Sequence, residues 1–247
     1  MHPLVRVLRL PLNLIPPQVR FHVLLGPLRG AVWIVGSGNH VCWMGLYEYR
    51  KQLALKRMIA RGSTVYDVGA HVGFHTLLAS RIVGPSGRVY AFEPLPRNIR
   101  YLRQHLALNC ARNVQVVEAA VADRATEEAF SEDGSYMGGL RPGGSLSVKT
   151  VAVDPLVRAG TLRAPNYVKI DVEGAELRAL SGMRETLATY RPTILLATHS
   201  TELHRECIQF LTVLGYRLTA LSGRAVSETD ELVARYPVVA MASPASR

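Results

Sequence analysis

The chain has 247 residues, 48% of them hydrophobic, and a formal net charge of +10. This hydrophobic content supports a packed core and excludes a disordered protein. The positive charge raises the question of nucleic-acid binding. The arginines are scattered, however, so we expect a solvated basic surface and no nucleic-acid partner; sugar phosphates and acidic glycans are other partners that suit this charge. Three distant cysteines form no metal or CxxC spacing, which predicts a reducing, cytoplasmic compartment: Cys42, Cys110 and Cys207.

Residues 1–63 are predicted to form an N-terminal extension, with a helix over 47–61. The first 30 residues are apolar, contain four arginines and no acidic residue, and are interrupted by five prolines. No apolar stretch there reaches the length of a membrane span, and no signal-peptide core with a cleavage site is visible. We expect a cap that packs on the domain. A substrate lid, a homodimer contact and peripheral contact with a membrane are the alternatives.

From residue 64, short apolar segments alternate with segments of helical periodicity. Strands are predicted at 64–69, 87–93 and 114–121, and helices at 73–83 and 96–108. Residues 123–163 are rich in glycine, serine and charge, and we interpret them as an insertion over the sheet edge with one strand at 147–153.

The alternation resumes after the insertion. We predict strands at 167–172 and 193–198, helices at 175–190 and 201–214, and a closing antiparallel hairpin of strands at 216–221 and 237–242. Strands that alternate with helices indicate a parallel sheet covered on both faces. Residues 64–247 are therefore predicted to form one α/β domain.

A glycine-containing loop follows the first strand as Asp67-Val-Gly69-Ala70-His71-Val-Gly73. Ligands of open α/β sheets bind at the carboxyl ends of the strands, where glycines allow a tight turn and close approach of a ligand. The spacing does not fit the dinucleotide motif GxGxxG well. It fits the (D/E)xGxGxG loop of enzymes that bind S-adenosylmethionine (SAM), with one glycine replaced. An ordinary strand-to-helix turn is the alternative.

The second strand ends at Glu93, which lies 24 residues after Gly69. An acid at this position accepts hydrogen bonds from the ribose hydroxyls of an adenosine. Small residues near the end of the third strand leave room for a planar base, and Asp123 would accept a hydrogen bond from its amine. A simple turn aspartate is an equal alternative for Asp123.

Ionisable residues also follow the fourth and fifth strands. Asp171 and Glu173 would emerge beside the reacting end of the ligand, and His199 follows the fifth strand. A histidine next to a carboxylate serves as a general base or a metal ligand, although a polar turn residue is the alternative. Glu176 opens the next helix, where an acid complements the helix dipole, so we interpret it as structural.

Five segments of the chain resemble the FkbM family of SAM-dependent methyltransferases: GLYEYRKQL (45–53), VYDVGAHVGFHTLLA (65–79), GRVYAFEP (87–94), YVKIDVEGAELRALSGM (167–183) and RPTILLATH (191–199). The resemblance spans roughly residues 45–200, and KIDVEGAE is its most family-specific piece. The family often has asparagine where this chain has His71. It often has glutamate where this chain has Ala197, so a role of that glutamate does not transfer.

The resemblance implies a class I methyltransferase, Rossmann-like fold with a seven-stranded, mostly parallel sheet whose last strand is antiparallel. It implies SAM as cofactor and methyl transfer to a hydroxyl of a sugar, a polysaccharide precursor or a related natural product. It implies SAM contacts from Asp67, Gly69, His71, Gly73 and Glu93, and places Asp171 near the methionine part of SAM. With Ala70 and Asp123, these form the predicted cofactor set.

An aliphatic hydroxyl is a poor nucleophile and needs a base or a metal. Our hypothesis is that His199 takes the proton, assisted by Glu173 or Asp171. The variant is that Asp171, Glu173 and His199 hold Mg²⁺, an ion that prefers oxygen ligands. An RNA methyltransferase, a metal-dependent glycosyltransferase and a non-catalytic SAM-binding module are the alternative functions.

Overall fold

The computed structural model describes residues 14–131, 139–140, 144, 146–227 and 231–237. In chain order, its strands are β1 (Arg20–His22), β2 (Val32–Ile34), β3 (Thr64–Val68), β4 (Arg88–Phe92), β5 (Val114–Val117), β6 (Ala120–Val121), β7 (Thr126–Ser131), β8 (Gly139–Leu140), β9 (Leu146–Val151), β10 (Tyr167–Ile170), β11 (Thr193–Leu196), β12 (Arg217–Ala220) and β13 (Leu232–Arg235). Its α-helices are α1 (His40–Met44), α2 (Tyr49–Met58), α3 (Phe74–Val83), α4 (Pro96–Leu108), α5 (Val153–Arg158), α6 (Glu176–Ser181), α7 (Arg184–Tyr190) and α8 (Thr201–Val213).

Seven strands form the central sheet in the order β12-β13-β11-β10-β3-β4-β5. Strands β5, β4, β3, β10 and β11 are parallel, whereas β13 is antiparallel to both of its neighbours. The prediction of a seven-stranded class I methyltransferase sheet with an antiparallel last strand is confirmed. Because the chain order reverses between β3 and β10, this is the switch point where a ligand binds.

Helices cover both faces of the sheet, and the strands between them are apolar for that reason. Alternate residues of β3 face opposite sides. Val65 packs in the cluster formed with α3 and α4, and Tyr66 packs in the cluster formed with α6, α7 and α8. None of the helices in the described part of the chain has the length and hydrophobicity to cross a membrane.

The N-terminal extension packs into the same core as the sheet. Trp33 of β2 is fully buried and stacks on His105 of α4, with ring centroids 3.8 Å apart. His105 Nε2 accepts the Ile34 N–H at 3.1 Å, and its Nδ1–H donates to the Val72 carbonyl at 2.8 Å. His105 therefore connects the β1–β2 hairpin to the glycine loop. The helix predicted over 47–61 is observed as α2.

The predicted insertion contains more structure than the sequence indicated. The strand expected at 147–153 is present as β9, but β6, β7 and β8 join it in a separate four-stranded sheet. The strand predicted at 114–121 divides into β5 and β6, because the chain leaves the central sheet after Val117 and β6 pairs with β9.

The single helix predicted at 175–190 is two helices, α6 and α7, separated at Gly182. A Cβ at Gly182 would lie 1.9 Å from the Ala122 carbonyl oxygen, so the chain turns there against the insertion. Asp154 accepts the N–H groups of Glu185 and Thr186 at 2.9 and 2.8 Å and so begins α7. These hydrogen bonds satisfy N–H groups in the first turn of α7, as a helix cap does.

The closing hairpin differs from the prediction in its second strand. The partner of β12 is β13, which lies before the predicted strand at 237–242. Residues 238–242 of the predicted strand lie outside the described residues. Pro237 has no N–H to donate and cannot extend a strand that pairs on both sides, as β13 does.

Candidate active site

A cavity of about 460 Å³ opens at the carboxyl ends of β3, β4 and β10. This volume lies within the roughly 300–1,000 Å³ that is typical of small-molecule sites. Its wall combines the loops after these strands with two other parts of the chain. The N-terminal extension contributes Asn39, Cys42 and Tyr47, and the insertion contributes Phe130 and Leu140. The sequence predicted no site residue in the N-terminal extension, and in the insertion only Asp123 at its start.

The glycine loop forms one side of this cavity through Gly69, Ala70 and His71. Gly69 has φ +81°, and a Cβ there would lie 1.9 Å from the Asp171 carbonyl oxygen. Only glycine therefore allows the loops after β3 and β10 to meet. His71 has φ +51°, a left-handed conformation that histidine and asparagine adopt more readily than most residues. This explains why either residue suits the position.

Asp67 and Gly73 support the loop and are not part of the cavity wall. Asp67 is buried, accepts the Thr76 hydroxyl at 2.6 Å, and pairs with Lys169 Nζ at 2.9 Å. Lys169 also donates to the Gly69 carbonyl at 2.9 Å. Asp67 and Lys169 thus hold the loop in place, and the predicted cofactor contacts of Asp67 and Gly73 stay predictions.

Glu93 lines the cavity and is 4% exposed. Its carboxylate accepts the His71 and Leu95 N–H groups at 2.8 and 3.1 Å and the Asn98 amide at 3.1 Å. Burial raises the pKa of Glu93, although these hydrogen bonds act in the opposite direction. The carboxylate is thus fixed at the wall by uncharged donors, where it would accept hydroxyl groups of a ligand.

Asp123 is not part of the cavity wall, and its predicted contact with an adenine stays a prediction. Its carboxylate accepts Arg178 Nε at 2.8 Å, and this hydrogen bond lowers the pKa of Asp123. Arg178 also binds both carboxylate oxygens of Glu128 at 2.7 Å. Asp123 therefore joins the insertion to α6. Ala120 and Val121 do line the cavity, as expected of residues next to a planar base.

Asp171 and Glu173 line the cavity at what we call its acidic end. Lys51 lies beside Asp171 at this end and is 2% exposed. Its Nζ is 3.0 Å from Glu48 Oε1, 3.0 Å from Asp171 Oδ2 and 2.8 Å from Glu231 Oε1. Burial opposes the charged form, but the three carboxylates hold the pKa of Lys51 above its usual value. One ammonium thus joins α2, the end of β10 and the start of β13.

Asp171 is ionised in this arrangement. Burial acts to raise the pKa of its carboxyl, but Lys169 and Lys51 hold that pKa well below the usual range. A carboxylate of such low proton affinity is a weak base. Asp171 is therefore suited to stabilise positive charge beside the cavity.

His199 lies directly behind this end of the cavity. Its Nδ1 is 2.6 Å from Glu176 Oε1, and its Nε2 is 3.4 Å from Glu173 Oε2 and 3.6 Å from Asp171 Oδ1. The hydrogen bond to Glu176 raises the pKa of His199 against the effect of burial, and the charges of Glu173, Glu176 and Asp171 add to the rise. His199 does not line the cavity itself; Asp171 and Glu173, which it contacts, do.

The structure gives Glu176 a more specific role than the general structural one that we expected from the sequence. It is fully buried at the start of α6, where its Oε1 also accepts the Gly174 N–H at 3.0 Å. Glu173 adopts φ +30° just before it, an unusual backbone conformation of the kind that clusters at functional sites. Glu176 therefore orients His199, a role that an acid in a first helical turn did not reveal.

The geometry does not support the predicted magnesium site of Asp171, Glu173 and His199. Within the residues that the structure describes, no group of three or more His, Cys, Asp or Glu side chains is arranged to hold a metal ion. The ammonium of Lys51 is 3.0 Å from Asp171 Oδ2, and Glu176 engages His199 Nδ1. A lysine thus holds the positive charge that faces Asp171.

The mostly parallel sheet with an antiparallel last strand, and a ligand cavity at its switch point, define a class I methyltransferase. Residues 67–218, more than half of the chain, match the methyltransferase FkbM domain. The chain belongs to the FkbM methyltransferase family.

Curated relatives include hexuronic acid methyltransferase AglP of Haloferax volcanii, 30% identical over 126 residues that cover 50% of this chain and 51% of AglP. The 31-O-demethyl-FK506 methyltransferase FkbM of Streptomyces tacrolimicus is 25% identical over 50% of this chain and 60% of its own length. The chain thus spans about half the length of the first of these relatives. A solved FkbM methyltransferase of Methylobacillus flagellatus shares the fold, with a TM-score of 0.52, 20% identity and coverage of 70% of this chain and 43% of its own.

Proposed function

We propose that this protein is a SAM-dependent O-methyltransferase that acts on a hydroxyl group of a sugar or sugar-containing acceptor in the cytoplasm. The observation that carries the proposal is His199, whose Nδ1 is held by Glu176 while its Nε2 faces two carboxylates of the cavity wall. This is the arrangement of a general base whose conjugate acid is stabilised in place.

The residues of the cavity fit SAM. Glu93 provides acceptor oxygens for the ribose hydroxyls, and an apolar wall near it suits the adenine: Leu95, Val121, Phe130 and Leu140. Asp171, at the acidic end, suits the positively charged amino and sulfonium groups. When bound, SAM supplies an electrophilic methyl group.

His199 would take the proton of the acceptor hydroxyl. The carboxylate of Glu176 fixes the proton of neutral His199 on Nδ1, which leaves the lone pair on Nε2. With SAM bound as the methyl donor, the hydroxyl proton of the acceptor would pass to His199 Nε2. Asp171 and Glu173, 3.6 and 3.4 Å away, then stabilise the imidazolium.

The acceptor class is supported by the relative AglP, whose name gives hexuronic acid as its substrate. The basic surface of this chain also suits an acidic glycan, because opposite charges increase the rate of encounter. We therefore propose uronic-acid-containing sugars as the first acceptors to assay.

Calorimetric titration with S-adenosylhomocysteine tests the cofactor assignment. The wild type is expected to bind, and Glu93→Ala to lose affinity by about tenfold or more, since hydrogen bonds to a charged group contribute roughly 1.5–3 kcal/mol. Glu118→Ala is the matched control, because Glu118 is an exposed carboxylate beyond β5. Turnover of uronic-acid acceptors with and without EDTA then separates the His199 base from a metal. A folded wild type that does not bind would overturn the proposal.

A further inference from the structure

An exposed apolar face lies on the N-terminal extension. Nine large hydrophobic side chains of the described residues are exposed, and five of them occur between residues 21 and 49. We call these five the N-terminal apolar face: Phe21, Leu24, Leu25, Leu46 and Tyr49, with exposed fractions of 37–53%. Apolar side chains that are exposed as a group, rather than singly, mark an interaction surface.

Backbone contacts bring these residues together. Leu24 and Leu25 donate their N–H groups to the carbonyls of Trp43 and Met44 at 3.0 and 3.2 Å, next to Leu46. The rings of Phe21 and Trp43 lie 5.2 Å apart. A Cβ built on Gly26 would meet the Gly45 carbonyl oxygen and the Tyr49 ring at 2.7 and 3.4 Å. The face is therefore one surface built from the β1–β2 loop and the α1–α2 connection.

The charge around this face is positive. The first 47 residues of the chain contain no aspartate or glutamate. Arg20, Arg29 and Arg50 are exposed in the segments that form the face. Arg81 of α3 joins them, since its guanidinium donates to the Arg29 carbonyl at 2.8 Å.

The nearest acid in sequence does not neutralise this rim. Glu48 directs its carboxylate inward, where it lies 3.0 Å from the buried Lys51 Nζ and 3.4 Å from His75 Nε2. Exposed leucine and aromatic side chains next to exposed arginines are the composition of surfaces that bind anionic membranes.

We propose that the N-terminal apolar face docks on an anionic lipid bilayer. Phe21, Leu24 and Leu25 would enter the headgroup region, and the surrounding arginines would contact lipid phosphates. The segment that carries the face also lines the cavity through Asn39, Cys42 and Tyr47, so docking would place the cavity beside the bilayer surface. This inference does not depend on the identity of the acceptor.

Co-sedimentation with vesicles of phosphatidylcholine, with or without phosphatidylglycerol, tests the proposal on the full chain. The wild type is expected to bind the anionic vesicles and to be released by salt. The double variant Leu24→Ser with Leu25→Ser, called the leucine variant, should weaken vesicle binding about tenfold or more. The substitutions remove apolar side chains that would be buried in the bilayer. Arg20→Gln with Arg50→Gln should weaken binding to the anionic vesicles.

The matched control is Leu146→Ser with Val213→Ser, which changes two exposed apolar side chains outside the face. This control should bind vesicles as the wild type does. Every variant is checked by circular dichroism and by S-adenosylhomocysteine titration, so that loss of fold is not mistaken for loss of docking. Absent binding by the wild type, or equal binding by the leucine variant, would overturn the proposal. The proposal would also be overturned if the wild type did not bind vesicles and light scattering showed that it is a dimer which the leucine variant dissociates.

Discussion

His71 lines the cavity within the glycine loop, and His105 bonds to that loop from α4, whereas His199 lies beside the acidic end. Burial, together with Arg97 and Lys169, lowers the pKa of His71 to about 4, and burial lowers the pKa of His105 to about 4. The hydrogen bond from Glu176 raises the pKa of His199 instead. The surroundings thus favour the neutral form of His71 and His105 and the protonated form of His199.

A comparison of two carboxylates shows that the groups bonded to an ionisable side chain, and not its burial alone, decide whether its pKa is raised or lowered. Glu93 and Asp171 both line the cavity. The pKa of Glu93 is raised because burial prevails over hydrogen bonds from uncharged groups. The pKa of Asp171 is lowered because Lys169 and Lys51 prevail over burial. One end is thus suited to the uncharged nucleoside part of a ligand, and the other to proton transfer.

The largest effect is expected from His199→Ala. Loss of a positioned general base should reduce turnover by about 10²–10⁴-fold. The affinity for S-adenosylhomocysteine should change little, because His199 does not line the cavity. Steady-state kinetics and calorimetry on the same preparation measure the two quantities.

The control for this variant is His22→Ala, which removes an exposed histidine of β1. It should retain wild-type turnover. If His199→Ala also retained full turnover, the assignment of proton transfer to the acidic end would be wrong.

Lys51→Met is expected to destabilise the acidic end selectively. It leaves Glu48, Asp171 and Glu231 without their shared cation, and removal of one partner from a buried ion pair typically costs about 3–5 kcal/mol in the free energy of unfolding. Lys56→Met is the matched control, since Lys56 is exposed on the same helix. Urea unfolding measures the difference, and equal stability of the two variants would show that the ion pairs contribute nothing net.

The pH dependence of the free energy of unfolding tests the role of His105, which supports the glycine loop. His105 has a folded pKa of about 4 against an unfolded value of about 6.5, so its contribution is complete above pH 6.5 and is lost as the pH falls toward 4. This loss amounts to about 3 kcal/mol. His105→Gln should be less stable at pH 7, and its unfolding free energy should fall less than that of the wild type below pH 6.5. Parallel pH profiles would contradict the assignment.

The smallest expected effect is a shift of the pH–activity profile in Glu176→Gln. His199 must be neutral to take a proton, so turnover rises as the pH increases through its raised pKa. Because Glu176 is the largest cause of that rise, the variant should move this limb of the profile to lower pH. Glu185→Gln, at an exposed position of α7, should leave the limb unchanged. An unshifted limb in Glu176→Gln would remove His199 as the titrating group.

The sequence predicted the sheet and one side of the site because polar residues interrupt apolar strands at their ends. Glu93 and Asp171 were found in this way, and both line the cavity. Lys169 was overlooked as a functional residue. A lysine inside a buried parallel strand requires a charged partner, so its presence in the sequence indicates a buried ion pair. The strand β13 was misplaced because 232–235 and 237–242 are similarly apolar.

The position of Lys51 beside Asp171 could not be predicted from local pattern. Lys51 and Asp171 are 120 positions apart, and no spacing rule connects them. The cavity wall formed by Phe130 and Leu140 depends on an insertion whose strands are short and weakly periodic. These contacts are set by tertiary packing, which alternation and motif spacing do not report.

The three carboxylates that surround Lys51 become available one after another as the chain is synthesised. Glu48 is translated first, Asp171 much later, and Glu231 last of the three, so the ammonium gains its full set of counter-charges only when β13 reaches the sheet. The glycine loop and Glu93 need nothing beyond the first half of the chain for their mutual contact. The contact between the glycine loop and Glu93 is therefore available earlier in synthesis than the charge cluster around Lys51.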